Sequence, residues 1–269
     1  MRASSGPSGE VTAAVLLGLG IGVLLGLVGG GGSILAVPAL MYGVGMPLSR
    51  AIPTALLVVG ISSAAAAVPR MIHREIGWRI AVVFGGAGVP AAFGGAALNR
   101  MLPPRLLLFG FVALMLIAAW RMLQKDEQTG GDCALPGGGV NWRSCLPKAI
   151  ASGAGVGFVT GLFGVGGGFV IVPALVLLLG LPMTVAVGTS LVVISINSAS
   201  GFLAHLGATS LDATVTIAFT LAAVAGALVA GRVGSRLSGV RLRRGFAYLV
   251  IAVAAFVALN ALMDPRSAG

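Results

Sequence analysis

Apolar stretches succeed one another along this chain, and several run close to 20 residues with few or no charges. A helix needs about 20 such residues to cross the hydrocarbon core of a bilayer. Backbone that enters lipid must satisfy its own hydrogen bonds, so helices are the natural solution for runs of this kind. Composition agrees with that reading. Of 269 residues, 57% are hydrophobic and 9% are charged, whereas a soluble domain carries about 25% charged residues. Too little polar surface remains to coat a globule in water. The chain therefore reads as an all-α polytopic integral membrane protein with the bilayer as its surroundings. Soluble enzymes and disordered tails are excluded. The net charge of +10 does not indicate a nucleic-acid partner, because the 17 Lys and Arg residues lie in the short gaps between apolar runs rather than on one face. That placement fixes orientation in a membrane.

Hydropathy gives five apolar segments, a polar break, and five more. The first set covers 11–28, 33–43, 51–68, 76–98 and 106–123; the second covers 149–163, 168–180, 185–206, 213–233 and 242–262. The second segment of each set, at 11 and 13 residues, reaches only about 20 Å as a helix and is too short to span. The sets are copies displaced by 135 positions. Gly18, Gly20, Gly22 and Gly26 match Gly153, Gly155, Gly157 and Gly161, and GLVGGGGSILAVPAL (26–40) aligns without gaps to GLFGVGGGFVIVPAL (161–175). Pro47 then matches Pro182, and Thr54 matches Thr189. Shared glycines and prolines at one constant offset point to duplicated halves, a feature typical of secondary transporters. The organisation expected is a first membrane repeat at 1–123, a cytoplasmic linker at 124–147 and a second repeat at 148–269, each repeat holding a glycine-broken helical hairpin plus three spanning helices.

Charge sets the orientation. If each leading pair of segments forms a hairpin, the halves are inverted and twelve Lys and Arg residues face the cytoplasm against five outside. If each leading pair makes one crossing, the split is nine against eight. Positive charge favours the cytoplasm, so two inverted homologous halves with both termini outside are expected. The first segment follows a short polar start like a signal peptide, yet its glycine pattern recurs inside the chain, so it belongs to the fold.

The chemistry-bearing feature is the glycine cluster after the first segment of each half, Gly29, Gly30, Gly31 and Gly32, then Gly164, Gly166, Gly167 and Gly168. Glycine runs weaken a helix by about 1 kcal/mol each relative to Ala, and broken backbone survives in a membrane only inside protein or along a cavity. The helix that resumes after each break presents unpaired N–H groups and the positive end of its dipole. Two such ends aimed at one cavity would hold an anion without a charged side chain. The candidate binding residues are therefore Gly30, Gly31, Gly32 and Ser33 in the first half, and Val165, Gly166, Gly167 and Gly168 in the second. Close helix packing is the competing reading of the clusters. It is the favoured reading of Gly18, Gly22 and Gly26 and of Gly153, Gly157 and Gly161, which are spaced by four. A phosphate loop is ruled out because no Lys-Ser or Lys-Thr follows the glycines.

Pro38 and Pro173 each sit six residues beyond a cluster glycine and are candidate hinges, or simply shape their short helices. The third segments carry Thr54, Ser62 and Ser63, then Thr189, Ser190, Ser195, Asn197 and Ser198. Of these, Thr54, Thr189, Ser190 and Asn197 are candidate anion ligands, with interhelical hydrogen bonding as the alternative. His73 reads as a loop residue and His205 as an interface residue at the end of its segment. Cys133 and Cys145 read as free thiols in the linker. The sequence offers no metal-binding constellation, no cofactor motif and no catalytic set.

The paired glycine motifs, with PLSRA at 47–51, PMTVAVGTS at 182–190, His205-Leu-Gly and Leu242-Arg-Arg, resemble the hallmark of the sulfite exporter TauE/SafE family of permeases over roughly residues 11–262. That resemblance implies a plasma-membrane permease of two homologous halves for small sulfur-containing anions such as sulfite, sulfoacetate or related organosulfonates. Val165 in place of Gly30, Gly188 in place of Pro53, and Asn197 opposite Ser62 put an equal contribution of the halves in doubt. The function expected is transport of a small anion by alternating access, not an enzyme. The alternatives are a passive anion channel and, further off, an intramembrane enzyme. Homo-oligomers are left open.

Overall fold

The computed structural model describes residues 7–99, 101–124, 142–163, 168–205, 213–234 and 237–263. Those residues are all-helical: α1 (Pro7–Val28), α2 (Gly31–Pro38), α3 (Leu48–Ile72), α4 (Trp78–Asn99), α5 (Pro104–Gln124), α6 (Trp142–Phe163), α7 (Gly168–Leu177), α8 (Met183–His205), α9 (Ala213–Gly234) and α10 (Gly239–Met263). Among them α3, α4, α6, α8 and α9 hold runs long and apolar enough to cross a membrane. Leu16, Val82, Phe93, Phe109, Leu221 and Phe256 are exposed on the outside of the bundle, a surface that water would not tolerate and lipid would. Trp78 and Trp120, also exposed, each precede an arginine at a helix end, as amphipathic rings do at the headgroup level.

The short helices arise as the glycines dictate. Gly29 has φ +75, in the left-handed region that glycine enters without a Cβ penalty, and its N–H closes α1 on the Leu25 carbonyl at 2.8 Å. Gly30 then caps α2 without any side-chain hydrogen bond. Pro38 ends α2, and the chain widens into a π-helical turn at Ala39–Gly43. Proline removes a donor from the ladder, so the bonds shift register there. The segment read as one short helix over 33–43 is thus an α-helix followed by a π turn. The turns that leave both short helices are alike. Met46 N–H bonds Leu40 O at 3.0 Å and Leu181 N–H bonds Leu175 O at 3.1 Å, with Gly45 and Gly180 at φ +79 and +67.

Two glycine seams hold the bundle together. Gly18, Gly22 and Gly26 of α1 lie against Phe219, Ala223 and Ala227 of α9, while Gly153, Gly157 and Gly161 of α6 lie against Phe84, Gly88 and Ala92 of α4. The offset of 135 converts one seam into the other residue by residue. At Gly22 and Gly157 a Cβ would collide with the carbonyl oxygens of Ala223 and Gly88. Without a hydrophobic drive between helices in lipid, such close backbone approach is how they gain dispersion contact. Helices α3 and α8 cross between the seams, where a Cβ on Gly60 would stand 3.2 Å from the Ser198 Cβ.

Two expectations change. Helix α6 starts at Trp142, inside the stretch 124–147 read as linker. Pro147 occupies the second turn of α6, where only the bond to the Arg143 carbonyl is forfeited. Cys145 is buried and disulfide-bonded rather than a free thiol, and Cys133, the other cysteine of the chain, lies outside the described residues.

Candidate functional site

The two glycine breaks meet. Gly30 at the start of α2 and Gly168 at the start of α7 are in such close backbone approach that a Cβ on Gly30 would collide with the Gly168 carbonyl. A Cβ on Gly168 would in turn face the Ser33 hydroxyl, and would lie 3.0 Å from the Gly30 carbonyl and 3.1 Å from Ile194 Cδ1. Gly29 faces Ser190 and Val187 of α8, and Gly32 faces Ile21 and Leu25 of α1. The space left by these missing side chains is filled by protein. The glycines serve first to bring two helix N-termini together. Gly31 is the first residue of α2; Val165, Gly166 and Gly167 lie outside the described residues.

Ser33 and Ser190, whose hydroxyls face Gly168 and Gly29, are engaged with backbone. Ser33 Oγ donates to Gly30 O at 2.7 Å. Ser190 Oγ donates to Gly29 O and to Val187 O, both at 2.8 Å, tying α8 to the first break. Thr189 Oγ1 accepts the Gly77 N–H at 3.0 Å, so it fastens the α3–α4 turn to α8. Its counterpart Thr54 is completely buried, and its Oγ1 has no hydrogen-bond partner among the described residues. The position matching Gly77 is Asp212, outside the described residues. Ser63 Oγ and Asn197 Oδ1 are also buried without a partner there. Each such orphan costs about 1–3 kcal/mol; Thr54 and Ser63 lie on α3 and Asn197 on α8.

The other side-chain expectations fall as follows. Pro38 closes α2 on an exposed face; Pro173 is buried inside α7. Pro173 borders a cavity of about 780 Å³ between α5, α6 and α7, largely apolar, with Ser152 and Gly155 in its wall and Arg121 and Gln124 at one end. Phe111 of α5 meets Phe163 and Phe169 edge to face, with ring centroids at 5.6 and 5.2 Å, so the residues flanking the second break are clamped by one aromatic side chain. His73 is exposed at the C-terminus of α3, and His205 ends α8. Among the described residues no group of His, Cys, Asp and Glu is placed to hold a metal.

Sequence reasoning missed Arg70. Counted there only as basic loop charge, it is completely buried. Its Nη1 donates to Glu75 Oε2 at 3.1 Å and to Thr184 O at 3.5 Å, and its Nη2 to Gly26 O at 3.5 Å. The pair is built by the way α3 ends. Glu75 N–H bonds Arg70 O and Arg74 N–H bonds Met71 O, at 2.9 and 3.1 Å, with Arg74 at φ +55. This is the Schellman closure, which normally carries glycine at the left-handed position. Arg74→Gly is accordingly expected to raise stability by about 1 kcal/mol, read as a higher unfolding temperature in detergent with the fold unchanged. The same turn explains why Gly188 stands where the first half has Pro53, since a Cβ there would strike the Glu75 carbonyl. That departure from the repeat was the one sequence signal of a close contact at this place.

Comparison with known proteins agrees with the fold. The family described as Sulfite exporter TauE/SafE matches residues 14–257. A probable membrane transporter protein of Xylella fastidiosa (strain Temecula1) is 33% identical over 246 residues, covering 88% of this chain and 90% of that protein. The probable membrane transporter protein YunE of Bacillus subtilis (strain 168) is 29% identical over 248 residues, covering 83% and 87%. No solved structure matches the chain. With the family match running through the ten α-helices of the described residues, this integral membrane protein belongs to the sulfite exporter TauE/SafE family.

Proposed function

We propose that this protein is a plasma-membrane permease for a small sulfur-containing anion, sulfite or an organosulfonate, working by alternating access. The observation that carries the reading is the meeting of Gly30 and Gly168, which sets the starts of α2 and α7 side by side. Both are the positive ends of helices, and Gly30 supplies no side-chain cap to occupy the first N–H groups of α2. The anion is taken to lie against the backbone from Gly30 to Ser33 and from Val165 to Gly168. Thr54 and Asn197 would supply the side chains whose buried oxygens lack partners, and Ser190 and Thr189 would hold α8 in place. The relatives are named as membrane transporters, which supports transport rather than catalysis.

The two halves are proposed to be inverted copies. Support comes from the seams, because α1 of the first half packs on α9 of the second just as α6 of the second packs on α4 of the first. Swapped pairing of this kind would let the halves rock about a shared centre, with Pro38 and Pro173 as bends in the short helices.

Uptake of labelled sulfite by proteoliposomes tests the reading. The expected result is saturable uptake competed by sulfoacetate and not by chloride, with dependence on a pH gradient reporting any proton coupling. Linear, non-saturating flux would make the protein a channel. Absent flux for every sulfur anion would withdraw the substrate.

A further inference from the structure

Arg70 is a cation in the interior of a membrane protein, and it is poorly satisfied. A charge there is costly unless its partners are good. A guanidinium has five N–H donors in a planar fork. Here one meets a carboxylate at 3.1 Å, two contacts stretch to 3.5 Å, and Nε has no hydrogen-bond partner among the described residues. Glu75, 18% exposed, is its ion-pair partner among those residues. A fork with spare donors is the geometry that takes an oxyanion in bidentate fashion.

Its position connects it to the helix-end junction. The Gly26 carbonyl that it touches lies three residues before Gly29, whose own carbonyl accepts the Ser190 hydroxyl. Thr184, its second carbonyl contact, lies in the first turn of α8, the helix that carries Gly188, Thr189 and Ser190. The turn bearing Glu75 rests on Gly188 and Thr189. Arg70 therefore reaches α1 and α8 from α3 at the level where the glycine break begins. The position matching it at the offset of 135 is His205, so this fixed cation belongs to one half only.

Resting on the permease reading above, we propose that Arg70 is an anion-binding residue of the transport path, which releases Glu75 and takes the anion in its place. Glu75 acts as the resident stand-in that keeps the charge paired when no anion is present. The exchange makes or breaks no covalent bond; one carboxylate contact is replaced by an oxyanion contact.

The test uses the full chain, purified and reconstituted, with sulfite uptake kinetics and thermal unfolding measured with and without sulfite. Glu75→Gln removes the competitor, so the KM for sulfite is expected to fall about threefold or more, and sulfite to raise the unfolding temperature more than in wild type. Arg70→Lys keeps the charge but loses the fork, and should raise KM about fivefold or more while some flux remains. The exchange Arg70→Glu with Glu75→Arg should recover the unfolding temperature and not the uptake. Recovery of both, or a KM in Glu75→Gln that is unchanged or raised, overturns the proposal and leaves a structural tie. Absent wild-type sulfite flux withdraws sulfite as the substrate instead; the proposal is then read from unfolding alone, and a Glu75→Gln protein no more stabilised than wild type by sulfite, sulfate or sulfoacetate overturns it.

Discussion

Gly157→Val is expected to cost about 3 kcal/mol or more and to take much of the protein out of the folded fraction. A Cβ at Gly157 would strike the Gly88 carbonyl oxygen and stand 2.5 Å from the Gly88 Cα. Both obstacles are backbone, so no side chain can rotate away; α4 and α6 must part along the whole seam and lose the dispersion contact that holds them in lipid. The measurement is the unfolding temperature in detergent, with Gly155→Ala as the reference. Gly155 is two residues away on the same helix, and a methyl carbon added to it would meet nothing within 4 Å. Its substitution is expected to be neutral or to stabilise by up to about 1 kcal/mol, the helix propensity difference. Equal unfolding temperatures for Gly157→Val and wild type would contradict the seam.

Gly30→Ala is expected to reduce transport about tenfold or more while the protein still folds, since about 1.4 kcal/mol of lost transition-state stabilisation is tenfold in rate. Gly30 has φ −172, outside the left-handed region that favours glycine, and the added methyl acts through contact. That contact is the Gly168 carbonyl. The two helix starts must separate, and a cradle shared between them loses its spacing. Overpacking at one methyl costs about 1–3 kcal/mol, within what a membrane protein of this size tolerates. Flux measured per folded protein separates the two effects. Full flux in Gly30→Ala would show that the junction of α2 and α7 is not where the anion passes.

The parts of this structure that were legible in the sequence are those written in spacing. Glycines four apart announced close helix contacts, and the seams use them; glycine clusters followed by renewed hydrophobic runs announced broken helices, and α2 and α7 begin at or beside them. Arg70 was illegible for a physical reason. Close to the end of α3, it has the spacing of a side chain that snorkels to the headgroups, and its burial depends on the ends of α1 and α9 and the start of α8 converging over it. The hydrogen bond from the Gly77 N–H to Thr189 was also hidden, because spacing places the threonine but not the turn that reaches it. The π turn after Pro38 shows the same limit: sequence places the proline but does not say whether the ladder bends, breaks or widens.

A carrier for a small sulfur anion must expose one site alternately to two sides, and counterflow measures that directly. Proteoliposomes loaded with unlabelled sulfite are diluted into a trace of labelled sulfite without any imposed gradient of ions. The account predicts a transient accumulation of label above equilibrium, because returning carriers bring label in against unlabelled sulfite going out, and predicts that sulfoacetate inside supports it as well. Label that rises only to equilibrium, with wild-type protein folded and oriented in the membrane, would contradict carrier transport of sulfite by this protein.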